Sequence, residues 1–125
     1  MNTRRVLVVD DENSFLDIMK VILPRAGFEI ITSTHGKEAL QMFYDCKPDL
    51  ALLDDMLPGM SGGDICLTIK TDPSVRHIPV VLYSAGPRVR DGEFIRRVGA
   101  DAVLYKPFKP ADVITTLTTC LAAAV

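Results

Sequence analysis

The chain has 125 residues, 48% of them hydrophobic, which is enough to bury one substantial core and too few for two ordinary domains. A formal net charge of −2 supplies no long-range basic field, so nucleic acid is not expected as the partner of the domain itself. The aliphatic runs are too short for a membrane span, no export signal is legible, and Cys46, Cys66 and Cys120 have neither disulfide nor metal-ligand spacing, so a reduced, cytoplasmic setting is expected.

Val6 to Val9 is a continuous β-branched and aliphatic run, the pattern of a strand buried on both faces, and it stops at Asp10-Asp11. Phe15, Ile18, Met19 and Ile22 then recur at helical spacing, with Asn13 or Ser14 as the expected cap and Pro24 ending or bending the helix. The alternation continues with a strand over Phe28 to Thr32, a helix carrying Ala39, Leu40 and Phe43, and a strand over Leu50 to Leu53. Ile65, Cys66 and Ile69 mark the third helix, Val80 to Tyr83 the fourth strand, and Phe94, Ile95 and Val98 the fourth helix. Ala102 to Tyr105 forms the fifth strand, and Val113, Ile114, Leu117, Cys120 and Leu121 give the last helix an apolar stripe. Five βα units with such strands predict a doubly wound (βα)5 α/β sandwich, a parallel sheet with helices on both faces and right-handed crossovers. Ligands of such sheets sit beyond the carboxyl ends of the strands, where the winding reverses.

The polar residues at those ends are Asp10 and Asp11, Asp54, Ser84, and Lys106 before Pro107. Carboxylates a few ångströms apart repel by roughly 4 kcal/mol per close pair at an effective dielectric near 20, so a cation is needed. Oxygen ligands with no His or Cys beside them favour Mg²⁺, with Mn²⁺ as the alternative. One carboxylate can then attack phosphorus while the metal and the Lys106 ammonium neutralise the transferring group, and Ser84 donates its hydroxyl to a further oxygen.

The blocks VLVVDDE (6 to 12), PDLALLDDMLPGMSG (48 to 62), IPVVLYSA (78 to 85) and GADAVLYKPF (99 to 108) resemble, in order and spacing, the receiver domains of two-component response regulators. The match runs from about Arg5 to about Leu121, and the expectation is one receiver domain over 1–125 with no output domain in that span. The resemblance implies a flavodoxin-like sheet of order 2-1-3-4-5 and a phosphorelay switch rather than a turnover enzyme. It makes Asp54, four residues before Pro58 and eight before Gly62, the phosphoacceptor, with Asp55 one residue out of register and facing the other way. It implies Mg²⁺ held by Asp11 directly, by Asp10 through water, by Asp54 and by the backbone carbonyl of Met56. Ser84, Lys106 and the backbone of Ala85 would bind the phosphoryl group, and the Lys106-Pro107 bond would be cis. The implied partners are a sensor histidine kinase or histidine phosphotransfer protein, a downstream protein on the face of helix 4, strand 5 and helix 5, and a second copy in a phosphorylation-dependent dimer.

Two positions depart from the family. Receivers commonly carry Tyr or Phe three residues before the lysine, a ring that moves with the Ser or Thr; here the position is Val103, whose branched side chain cannot make that exchange, and Tyr105 stands two residues further on the same face. Phosphorylation is therefore expected to move this surface less, or by displacement of helix 4. Met56 and Gly86 occupy the positions that tune phosphate loss, and neither side chain holds a water well, so slow autodephosphorylation is expected.

His35 and His77 read as solvated loop residues, Cys66 and Cys120 as buried thiols, and Arg88, Arg90, Arg96 and Arg97 as a solvated face flanking helix 4. An aspartyl phosphohydrolase would need an acid at Met56, and a flavin-binding fold would need a phosphate-cradling loop where Asp-Asp-Glu stands. The closing Ala-Ala-Ala-Val run fits a free end and a cut in a longer chain equally.

Overall fold

The five apolar runs form one parallel sheet in the order β2-β1-β3-β4-β5, in a computed structural model that describes residues 3–124. Val125 of the closing run lies outside the described residues, as do Met1 and Asn2. The strands are β1 (Arg4–Val9), β2 (Phe28–Ser33), β3 (Leu50–Asp54), β4 (Val80–Ser84) and β5 (Ala102–Tyr105). They alternate with α1 (Asn13–Arg25), α2 (Gly36–Cys46), α3 (Gly62–Lys70), α4 (Gly92–Val98) and α5 (Pro110–Ala123). Every residue of β3 and β4 is buried, as continuous apolar runs between two layers of helices must be.

Alternation along each strand divides the core in two. Val6, Val8, Leu50, Leu52, Val81, Tyr83 and Leu104 face α1 and α5, meeting Leu16, Met19, Leu23, Val113, Leu117 and Leu121. Leu7, Val9, Ala51, Leu53, Val80 and Leu82 face α2, α3 and α4, meeting Phe43, Ile65, Ile69, Phe94 and Val98. Cys66 is buried in that second layer, where its Sγ lies 3.2 Å from the Val98 carbonyl and burial pushes its thiol up to about 12. Cys120 is only half-buried.

Strands 3 and 4 run one residue further than their apolar runs, so Asp54 and Ser84 are the last residues of β3 and β4. The register pairs Val9 with Leu53, Asp54 with Tyr83, and Ser84 with Tyr105, which brings Asp10, Asp54, Ser84 and Lys106 to one edge. That edge flanks β1 and β3, where the chain reverses its winding.

Two local expectations are corrected. The buried stripe of α1 is Leu16, Met19 and Leu23, whereas Ile18 is 51% exposed, because this helix carries apolar residues on more than one face. Its N-cap is Glu12, whose carbonyl accepts from the amides of Phe15 and Leu16, and no side chain caps it. Pro24 is the penultimate residue of the helix, which closes at Arg25. Ahead of α4 lies a 3₁₀ turn over Pro87–Arg90 that apolar periodicity does not announce, and Asp91 caps α4 by accepting from the amides of Glu93 and Phe94.

Candidate functional site

Asp54 is buried at the end of β3, and its two carboxylate oxygens have different partners. Oδ1 accepts from the Met56 amide at 3.0 Å, and Oδ2 accepts from Lys106 Nζ at 3.3 Å. Asp10, fully buried at the end of β1, offers Oδ1 to the Glu12 amide at 2.9 Å and Oδ2 to the same Lys106 ammonium at 3.0 Å. Lys106 thus stands between the two buried carboxylates. Asp11, Glu12, Asp54, Met56, Ser84, Ala85 and Lys106 line one cavity at this edge, and Ser84 Oγ accepts from the Gly86 amide at 3.0 Å.

Burial pushes the Asp54 carboxyl up, against the Met56 amide and the Lys106 charge, which pull it down. Burial alone would lower Lys106, but its hydrogen bond to Asp10 and the charge of Asp54 outweigh it, and the ammonium is held above its ordinary range. The lysine is packed as well as paired, since Nζ lies 5.1 Å from the centroid of Phe15 and 5.0 Å from that of Tyr83. Tyr83 stacks on Phe15 at 5.1 Å, and Phe108 meets both rings edge-on. The Tyr83 hydroxyl reaches the Val9 carbonyl at 2.9 Å and Asp10 Oδ2 at 3.0 Å. Burial, then the charges of Asp10 and Asp54, hold that phenol well above its ordinary range. The Lys106-Pro107 bond at this edge is cis.

The acid oxygens suit a hard divalent cation. Asp10, Asp11 and Glu12 each offer one within 4.8 Å of the others, with no His or Cys in the set. Glu12 is an addition to the expected residues, while Asp54 stands outside this group and is held by Lys106 instead.

Arg88 is exposed, as expected, but it is also paired. Its Nε and Nη2 grip the carboxylate of Asp55 at 3.0 and 2.9 Å, and Nη2 also donates to Ser61 Oγ at 3.1 Å. Asp55 faces away from Asp54's cavity, is buried, and also accepts from the Gly63 amide at 2.9 Å. The clue in sequence was the second acid of Asp54-Asp55: a carboxylate on a buried strand end requires a counter-charge, although spacing could not say which arginine supplies it. Val103 is half-buried against Phe94's layer, and Tyr105 lies exposed under the Arg90 guanidinium at 4.2 Å. His35 and His77 are exposed, and Met56 is 64% exposed at the cavity mouth.

A doubly wound α/β domain with acids, a hydroxyl and a lysine gathered at its switch point has its candidate site where such sheets bind ligands. The model of the response regulator receiver domain matches residues 6–118, and the chain belongs to that family. It is 37% identical over 111 residues, 89% of its length, to the DNA-binding response regulator MtrA of Mycolicibacterium paratuberculosis. It is 34% identical over 110 residues, 88% of its length, to the alkaline phosphatase synthesis transcriptional regulatory protein PhoP of Bacillus subtilis. The chain spans about half the length of these curated relatives, 48% of the first and 45% of the second. Among solved structures it resembles a CheY-like response regulator receiver domain protein from Methanospirillum hungatei, with a TM-score of 0.90 and 26% identity, covering 98% of this chain and 97% of that one.

Removing the ammonium should leave Asp10 buried without a counter-charge. Lys106→Met is expected to lose about 3–5 kcal/mol in urea unfolding without added metal. The raised pKa of Lys106 means that its charge is complete below 10.5 and is lost only as pH rises through the higher folded value, so the loss should be full at neutral pH and should shrink towards acid pH, where Asp54, already pushed up by burial, takes up a proton. A loss within about 0.5 kcal/mol would show that the pair is not what holds this edge.

Proposed function

We propose that this receiver domain takes a phosphoryl group from a phosphohistidine onto Asp54 and, once modified, changes its binding to a downstream protein. The observation that carries the reading is the Asp54 carboxylate fixed between an amide and an ammonium, facing a cavity that also holds Asp11, Ser84 and Ala85. A carboxylate oxygen of Asp54 forms the new O–P bond as the N–P bond to the donor imidazole breaks, and the leaving imidazole takes up a proton. Lys106 neutralises one phosphoryl oxygen, and the Ser84 hydroxyl and the Ala85 backbone serve others. Mg²⁺, which Mn²⁺ could replace, supplies further charge neutralisation; Asp10, Asp11 and the Met56 carbonyl would hold it together with Asp54, and Glu12 stands within reach of the same place.

The domain works as a switch in the cytoplasm, and no step turns over a separate substrate. Its donor is a sensor histidine kinase or a histidine phosphotransfer protein, and the surface of α4, β5 and α5 is the output face, used for a downstream protein or a second phosphorylated copy. No helix among the described residues is long and apolar enough to cross a membrane.

Acetyl phosphate with Mg²⁺ should add one phosphoryl mass to the intact protein, and chelation of the metal or Asp54→Asn should abolish the addition. A phosphoryl adduct of undiminished yield in Asp54→Asn would place the acceptor elsewhere. Lifetime is the second test. Neither Met56 nor Gly86 offers a side chain that fixes an in-line water, so loss of phosphate should be slow, and Met56→Asn should accelerate it roughly tenfold or more. Equal or slower loss in that variant would remove Met56 from the control of lifetime.

A further inference from the structure

We propose that the Asp55–Arg88 ion pair is the latch through which the state of Asp54 reaches α4, a role that rests on the phosphoacceptor reading above. Asp55 is bonded to Asp54 through the chain, and its amide donates to the Tyr83 carbonyl at 2.9 Å, so it is fixed to both β3 and β4. Its carboxylate faces the opposite side of the sheet from the aromatic wall, where it is 6% exposed and depends on Arg88 for its counter-charge. Arg88 lies four residues after Ser84, inside the 3₁₀ turn. That turn is stiff, because Pro87 fixes its first residue and Val89 is anchored in the core at 1% exposure. A displacement of Ser84 to Gly86 is therefore passed to Arg88.

Asp55, Gly63 and Phe94 are buried around the half-exposed Arg88 side chain. The Arg88 guanidinium lies 4.2 Å above the buried ring of Phe94 on α4. A side-chain carbon at Gly63 would stand 2.6 Å from Phe94, 2.9 Å from Arg88 Nη2 and 3.0 Å from Asp55 Oδ1, so β3, α3, the turn and α4 meet at that one glycine. A close-packed junction of this kind shifts as a unit. The trigger is Ser84, whose Oγ now accepts from the Gly86 amide, the residue just before the turn. Turning that hydroxyl toward a phosphoryl group on Asp54 releases Gly86, and the turn moves with Arg88 and Phe94. Arg90 of the same turn covers the Tyr105 ring, so β5 is reached by the same element. The latch supplies a route to α4 that does not need a ring at Val103.

Backbone amide NMR with beryllofluoride and Mg²⁺ tests this in wild type, in Arg88→Gln, and in Asp55→Asn/Arg88→Met, which removes the buried charge as well and keeps the test open if Arg88→Gln does not fold. In wild type, shifts should change at Ser84, Gly86 and Lys106 and also across residues 92–98. In the variants the first group should still respond and the response of 92–98 should be lost. An undiminished response of α4 in the variants would overturn the latch, as would a wild type whose α4 stays still while Ser84 moves. No response at Ser84 and Lys106 in wild type would overturn the phosphoacceptor reading itself, and the latch with it.

Discussion

One ammonium holds the functional edge together. Lys106 reaches two buried carboxylates that belong to different strands, Asp10 of the β1 end at 3.0 Å and Asp54 of the β3 end at 3.3 Å. Each carboxylate would be costly to bury alone, and the two repel each other. The lysine removes both penalties, but it can do so only because β5 sits at the sheet edge in a register that pairs Ser84 with Tyr105. Strand order and register are thus tied to a charge problem located at the switch point. A divalent cation at Asp10, Asp11 and Glu12 would enter a site already poised around one positive charge.

The fold was legible because its strands are buried on both faces and read as unbroken apolar runs, a signal that survives without any alignment. Asp10, Asp54, Ser84 and Lys106 followed from it, since polar residues closing such runs lie at one edge of the sheet. What was not legible depends on contacts between residues far apart in sequence. The Asp55–Arg88 pair spans 33 positions, and nothing local distinguishes Arg88 from Arg96 or Arg97. Tyr83 read only as the end of a strand, yet its ring and hydroxyl support Lys106 and Asp10, because that role requires Phe15 and Phe108 to arrive from α1 and from the loop before α5. In α1, apolar residues on several faces left periodicity ambiguous, and packing selected Leu16, Met19 and Leu23.

Two adjacent aspartates have come to opposite tasks through strand geometry alone. Successive side chains leave opposite faces of a strand. Asp54 therefore opens into the cavity with Lys106, and Asp55 turns toward α3 and α4, where the Gly63 amide and Arg88 satisfy it. Gly62 contributes to the same junction, since a side-chain carbon there would collide with the Asp54 carbonyl and only glycine lets α3 begin so close to β3.

The two faces of the sheet are unequally braced near the functional edge. On the α1 and α5 side, Lys106 rests on Phe15 and Tyr83, with Phe108 closing the wall, and the 14-residue α5 packs along the strands through Val113, Leu117 and Leu121. Shifting that side would unstack three rings and strip the ammonium of its packing. On the other side, α4 has only seven residues and follows a 3₁₀ turn. A helix that short owes its stability to tertiary contacts rather than to its own hydrogen bonds. Its contacts near the site run through Phe94, and Phe94 is held by Arg88. The side that carries α4 is therefore the more weakly braced of the two, and it is the side that the proposed latch would use.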